Sequence, residues 1–287
     1  MIDPNRELLD RATSEVYKET AEGELKIHLF EPETASPDSG RAVMLCFFGS
    51  FWDQGAISQF APHCTYFASR GMLTGLVEYR VKSKHGTTPL EAISDARSAF
   101  RWIRLHTQEL RIDPKKVGGA GASGGAYSVF SSAILKGDVI DEKDEDSSIP
   151  GAPDFQIGFS PILDISSKGA GLDRFPDAKS AKALSPLHHV GRGLPPSMIF
   201  HGTHDRVVPF ESSRRFMKKA LRKKNVCELV PFEGQEHSFF NLNVDFDLYG
   251  TTLKEADRFL TEQGFLSPVP PEEKHRESNS EEDLIEA

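Results

Sequence analysis

The sequence predicts an α/β domain with a mostly parallel central sheet and helices on both faces. Three observations carry that expectation. Residues 42–48 and 73–79 are short, almost continuously apolar runs, the pattern of strands covered on both sides. Apolar residues between and after them recur at helical spacing. Strand-like and helix-like segments then alternate as far as residue 266, which implies right-handed crossovers.

Taken in order, residues 1–15 read as a mobile or helical lead-in. Residues 15–31 read as a strand pair: Val16 and Tyr17 open it, residues 21–24 turn it, and Leu25, Ile27 and Leu29 alternate with polar neighbours. A Pro/Ser/Gly loop, 32–40, leads into the strand at 42–48. Ile57, Phe60, Ala61, Cys64, Phe67 and Ala68 then share one helical face, which ends at Gly71. After the strand at 73–79, Thr88-Pro89-Leu90-Glu91 reads as a capping box with proline at the first helical position. Ile93, Ala96, Phe100 and Ile103 supply that helix with its buried stripe. Asp113-Pro114 signals a turn before a strand at 116–120, and residues 126–135 read as a buried helix ending at Gly137. Further strands are expected at 155–159, 197–200 and 228–232. Leu253, Ala256, Phe259 and Leu260 mark a closing helix.

With 287 residues, 38% of them hydrophobic, the chain has ample material for a core. One domain is expected over 1–266, with an acidic, Pro/Gly-rich insertion at 138–154 and a disordered acidic tail at 267–287. The net charge of −9 argues against nucleic acid or an anionic membrane as partner. The basic residues Arg214, Arg215, Lys218, Lys219, Arg222, Lys223 and Lys224 interleave with Phe216, Met217, Ala220 and Leu221, and read as the solvated face of an amphipathic helix. Cys46, Cys64 and Cys227 stand far apart in or beside apolar runs and read as buried free thiols. The first residues carry no apolar leader core and no stretch reaches membrane-spanning length, so a cytoplasmic protein is expected.

The chemistry begins at Gly121-Ala122-Ser123-Gly124-Gly125. A G-x-S-x-G turn between a strand and a helix can push a serine hydroxyl out of a strained corner. Such a serine needs a histidine to take its proton and a carboxylate to fix the imidazole's tautomer. Both are sought just beyond later strands, because a parallel sheet gathers its functional groups at the carboxyl ends. Asp205 follows the strand at 197–200, and His237 follows the strand at 228–232. Asp164 is the rival acid. His188, His189, His201 and His204 are rival bases, with His201 expected at a strand end making local hydrogen bonds. The paired histidines lack further ligands at metal-binding spacing, so no metal is expected.

Three blocks, residues 121–125 (GASGG), 201–208 (HGTHDRVV) and 233–239 (EGQEHSF), together with Glu78-Tyr79-Arg80 and the helix from Thr88 to His106, give the chain its resemblance. It resembles the α/β-hydrolase fold serine esterases, and is similar to the hormone-sensitive-lipase-like and acetyl-xylan or feruloyl esterase-like groups, over residues 16–266. The resemblance implies a Ser123–His237–Asp205 triad working through an acyl-enzyme, with no cofactor. Those relatives carry H-G-G-G-W after the first central strand, whereas this chain has Phe48-Gly49-Ser50-Phe51-Trp52. By position, the backbone amides of Ser50, Phe51 and Gly124 would form the oxyanion hole. A positive φ at Phe51 would strain that loop. Phe51 and Trp52 are the expected substrate contacts, Phe47 and Phe48 divide between core and pocket, and Asp53 and Gln54 could meet a polar substrate. Residues 160–190 are either a lid or a plain surface excursion. The expected activity is hydrolysis of small, short-acyl esters, including acetylated sugars. The alternatives are a prolyl-oligopeptidase-like peptidase and a binding protein that keeps the fold with weakened catalysis. Nothing in the sequence fixes an oligomeric state.

Overall fold

The computed structural model describes residues 5–135 and 137–268. An eight-stranded sheet runs through it in the order β1-β2-β4-β3-β5-β6-β7-β8. The strands are β1 (Thr13–Thr20), β2 (Gly23–Phe30), β3 (Arg41–Phe47), β4 (Leu73–Val77), β5 (Ile112–Ala122), β6 (Gln156–Phe159), β7 (Ser197–Gly202) and β8 (Cys227–Phe232). The pairings β1–β2 and β2–β4 are antiparallel, and every pairing from β4 through β3 to β8 is parallel. This is the α/β-hydrolase fold.

Alternation along the strands divides the core into two layers. Val43, Leu45 and Phe47 of β3 face the helices α2 (Pro89–Leu105), α3 (Ser123–Ile134) and α4 (Phe210–Arg222). Met44 and Cys46 of the same strand face α1 (Ala61–Ser69) and α5 (Phe246–Glu262). Helix α2 starts as its sequence dictates. The Thr88 hydroxyl accepts from Leu90 N–H (3.3 Å), and Glu91 returns the bond by accepting from Thr88 N–H (2.8 Å). All three cysteines are free and buried, and burial together with the neighbouring Cys64 thiol pushes the Cys46 thiol well up.

Three expectations need correction, and the acidic insertion gains partners that the sequence did not reveal. Asp113-Pro114 lies inside β5, where the register with β3 jumps from Arg41–Ile112 to Val43–Val117, so the turn signal surfaces as an irregularity within a strand. Helix α3 begins at Ser123 and α5 at Phe246, both earlier than their apolar stripes suggest. The acidic insertion lies against α2. Asp141 pairs with Arg97 and Arg101, Glu145 with Arg101, and Asp154 with Arg104. Finally, the basic face of α4 is only partly solvated. Arg215 reaches inward to Asp164, and Lys219 Nζ donates to the Leu187 carbonyl (2.8 Å). The expected tail lies outside the described residues beyond Pro268. Among the described residues no helix is long and apolar enough to cross a membrane.

Candidate functional site

The sheet order determines where a site can form. After β4 pairs on one side of β3, the chain crosses over to place β5 on the other side. That reversal opens a crevice beyond the carboxyl ends of β3 and β5. Phe47 and Gly121 are partners at this end, so the loop after β3 and the turn after β5 leave the sheet side by side.

Ser123 occupies that turn with φ +49°, a left-handed conformation uncommon for a residue with a side chain. Its flanking glycines are required by space. A Cβ on Gly125 would lie 2.4 Å from the Phe47 carbonyl oxygen, and one on Gly121 would lie 2.7 Å from Ala126 N. Strand and helix therefore close tightly around the serine, with β6 beside β5, then β7 and β8. The Ser123 hydroxyl makes no hydrogen bond to another described residue, His237 included. Serine–base bonds in hydrolytic sites often tighten only with substrate.

Asp205 lies three residues past β7, and its carboxylate is fully buried. Oδ1 accepts from Val207 N–H and Val208 N–H, both at 2.8 Å. Oδ2 lies 2.7 Å from His237 Nδ1 and 3.1 Å from His201 Nε2. Burial alone would raise this carboxyl's pKa, but the hydrogen bonds from His201 and His237, with the backbone N–H groups, hold it well below the usual carboxylate range. An ionised carboxylate can only accept, so His237 Nδ1 must carry the proton. In the neutral ring Nε2 is then the free base nitrogen. His201 is buried at the end of β7 as expected, with Nδ1 2.8 Å from the Ser213 hydroxyl and Nε2 3.0 Å from the Val208 carbonyl. Beyond that local role it also braces Asp205. The rival acid, Asp164, is buried against Arg215, and the carboxylate at His237 is that of Asp205.

The loop after β3 is strained and firmly held. Phe51 and Trp52 take φ values of +48° and +58°. For residues with side chains each such conformation costs about 1–2 kcal/mol. The Ser50 hydroxyl accepts from Trp52 N–H (2.9 Å) and shares a hydrogen bond with the Tyr79 hydroxyl (2.7 Å), which donates to the Phe48 carbonyl (2.6 Å). Gly49 N–H donates to Gln59 Oε1 (2.6 Å). Gly124 packs so closely that a Cβ there would lie 3.3 Å from Phe51 N and 3.2 Å from Trp52 N. Gly124, the residue after Ser123, thus packs directly against the backbone of Phe51 and Trp52, with the Ser50 hydroxyl 3.4 Å from the same position. Trp52 N–H is already committed to Ser50.

The aromatic residues divide by burial. Trp52 is 2% exposed and enclosed by Tyr127, Phe175 and Gly171, so it props the loop from beneath. Phe47 and Phe48 are buried as well, whereas Phe51 is half-buried at the rim. Beside the loop runs a cleft of about 230 Å³, floored by Phe48 and Tyr79 and edged by Gln54, Glu78 and Lys84. Residues 160–190 are packed rather than loose: Ile162, Leu163, Ala170 and Leu187 join the core, and Ile162 N–H donates to the Ser123 carbonyl (3.3 Å). Sequence reasoning missed Gln59 and Asn241, which hold the site's loops, and Arg174, which lies over Phe51, and it named Tyr79 without the loop-holding bonds it makes.

The BD-FAE family model matches residues 27–220. Thermogutta terrifontis esterase 2 phosphorylated by paraoxon is 38% identical, with a TM-score of 0.85 over 91% of this chain and 97% of that one. The butyrate-bound form of the same esterase aligns at 37% identity and TM-score 0.85, over 91% and 98%. A probable carboxylic ester hydrolase, LipM of Mycobacterium tuberculosis, is 25% identical over 77% of this chain and 53% of its own length. The chain thus spans about half the length of the curated relatives it matches.

Proposed function

Because the chain belongs to the BD-FAE family of α/β-hydrolases, we propose that it is a serine-dependent carboxylic ester hydrolase. The observation that carries this reading is the 2.7 Å bond between His237 Nδ1 and Asp205 Oδ2, at the end of the sheet where Ser123 caps β5. His237 Nε2 removes the Ser123 proton as Oγ attacks the ester carbonyl. The resulting oxyanion is held by the amides of Phe51 and Gly124, with Ser50 adjoining. His237 then protonates the leaving alcohol, and a water molecule activated by the same nitrogen releases the acid from the acyl-enzyme. Asp205 orients the imidazole and stabilises its charged form.

The substrate is a small ester with a short acyl group. Butyrate bound to the Thermogutta terrifontis esterase supports that size. Acetylated sugars suit the cleft beside the loop, where Phe48 and Tyr79 offer an aromatic floor and Gln54, Glu78 and Lys84 a polar edge.

A fluorophosphonate probe tests the nucleophile, because it should label the wild type and leave Ser123→Ala unlabelled. Absence of labelling would favour a binding protein. Rates on 4-nitrophenyl acetate, butyrate and octanoate test the acyl preference, and a faster rate on octanoate than on acetate would overturn it.

A further inference from the structure

Arg174 lies in the packed segment that flanks the oxyanion loop. Its guanidinium carbon sits 4.9 Å from the centre of the Phe51 ring. The segment is fixed there from both sides: Phe175 packs edge-on against Trp52 at 6.0 Å, and Gly171 lies so close to the same indole that a Cβ would meet it at 2.6 Å. Gly171 also has φ +83°, which favours glycine. Arg174 is therefore held over the one residue that supplies both a candidate oxyanion donor and a half-exposed ring at the rim.

The cation is under-used in this position. Nε is buried without a hydrogen-bond partner, and its ion pair is a weak one, with the largely exposed carboxylate of Asp173 at 3.5 Å. Among the described residues the guanidinium makes no hydrogen bond. An arginine stacked on an aromatic face gains something from the ring, but its fork of N–H donors is best matched by a carboxylate.

We propose that Arg174 is a specificity determinant that selects esters bearing a carboxylate on the acyl or the alcohol part. The inference rests on the hydrolase reading above. In a bound ester the carbonyl oxygen would lie at the Phe51 amide, and a carboxylate a few bonds away would reach the guanidinium over the ring of the same residue. The chain's net charge of −9 repels an anion overall, so a preference for one requires a local cation.

Two matched substrate pairs test this. The 4-nitrophenyl monoester of glutaric acid is compared with 4-nitrophenyl valerate, and 4-acetoxybenzoate with 4-acetoxybenzamide, each after subtraction of the uncatalysed rate. The readout is the ratio of kcat/KM for the anionic over the neutral member, which cancels any loss common to both. The wild type should give a ratio of about ten or more for at least one pair. Arg174→Gln should bring that ratio to about one or below, and Arg174→Lys should keep part of it. Wild-type ratios at or below one in both pairs, or a ratio unchanged in Arg174→Gln, overturn the inference while neutral turnover leaves the hydrolase reading standing. No turnover of any of the four esters removes both.

Discussion

The side-chain amide of Gln59 donates to Asn241 Oδ1 across 3.0 Å, while its own carbonyl oxygen accepts from Gly49 N–H at 2.6 Å. Asn241 in turn donates to the carbonyl of Ser238, the residue after His237 (3.0 Å). One half-buried glutamine therefore joins the loop after β3 to the loop that carries His237.

Gln59→Leu keeps the bulk and removes both bonds. It leaves a buried N–H and a buried amide oxygen unpaired, at about 1–3 kcal/mol each. Small misplacements of reacting groups are costly, so kcat should fall roughly 10- to 100-fold with KM changed only a few-fold. Steady-state kinetics alongside thermal melting checks this. A lower melting temperature with kcat intact would reduce Gln59 to a structural brace.

Gly124→Ala probes the oxyanion space directly. The added methyl would sit 3.3 Å from Phe51 N and 3.4 Å from the Ser50 hydroxyl, where the proposed mechanism places the developing negative charge. Blocking one such donor costs on the order of 10²–10³ in kcat. A modest loss of stability should accompany it, because Gly124 lies in the first turn of α3 and the atoms that must give way are loop backbone, so kcat is read well below the melting temperature. If Gly124→Ala retained wild-type kcat, the oxyanion would have to bind elsewhere.

The strand-end residues and the glutamine that braces their loops differ in how far they could be read from the sequence. The placement of Ser123, Asp205 and His237 beyond strand ends was legible, because each follows a strand with a clear apolar signature and parallel strands deliver such positions to one end of the sheet. Gln59 was not. It sits between Ser58 and Phe60 in a segment read only for its apolar stripe, and its partner is 182 residues away. The partners of the acidic insertion were hidden for a related reason: composition records charge but not its partner, and Arg97, Arg101 and Arg104 on one face of α2 neutralise it. The positive φ at Phe51 could be foreseen only as a conditional. The usual glycines are missing there, and packing of Trp52 together with the Ser50 and Tyr79 bonds holds the strained loop.

Stability should depend heavily on Asp95. Its fully buried carboxylate accepts from Arg80 N–H (2.9 Å), Arg80 Nη2 (2.7 Å) and Lys18 Nζ (2.7 Å). The other acids of the cluster, Glu142 and Glu22, are 40% and 32% exposed at their side chains and cannot replace that buried charge. Asp95→Asn preserves shape but leaves two cations under-compensated, and breaking a buried pair costs about 3–5 kcal/mol. For a domain of this size that corresponds to a melting temperature lower by roughly 10 °C. A drop of only a degree or two would place the pair with weak surface bridges.

Acid stability should be limited by His63. Its ring is 2% exposed among Phe60, Phe159 and Tyr249, and neither nitrogen has a hydrogen-bond partner. Desolvation lowers its pKa to about 3. In the unfolded chain the ring titrates near the ordinary value of about 6.5, so between those two values the unfolded state binds the extra proton. Stability is therefore complete above about pH 6.5 and declines as pH falls towards 3, by an amount on the order of several kcal/mol. His63→Leu removes the titrating group and forfeits no hydrogen bond. Denaturant melts from pH 8 to pH 4 should show wild type and variant closely matched at pH 8, with the variant losing less stability below pH 6.5. Parallel curves across that range would mean that His63 keeps its proton affinity on folding, and that the acid limb belongs to other groups.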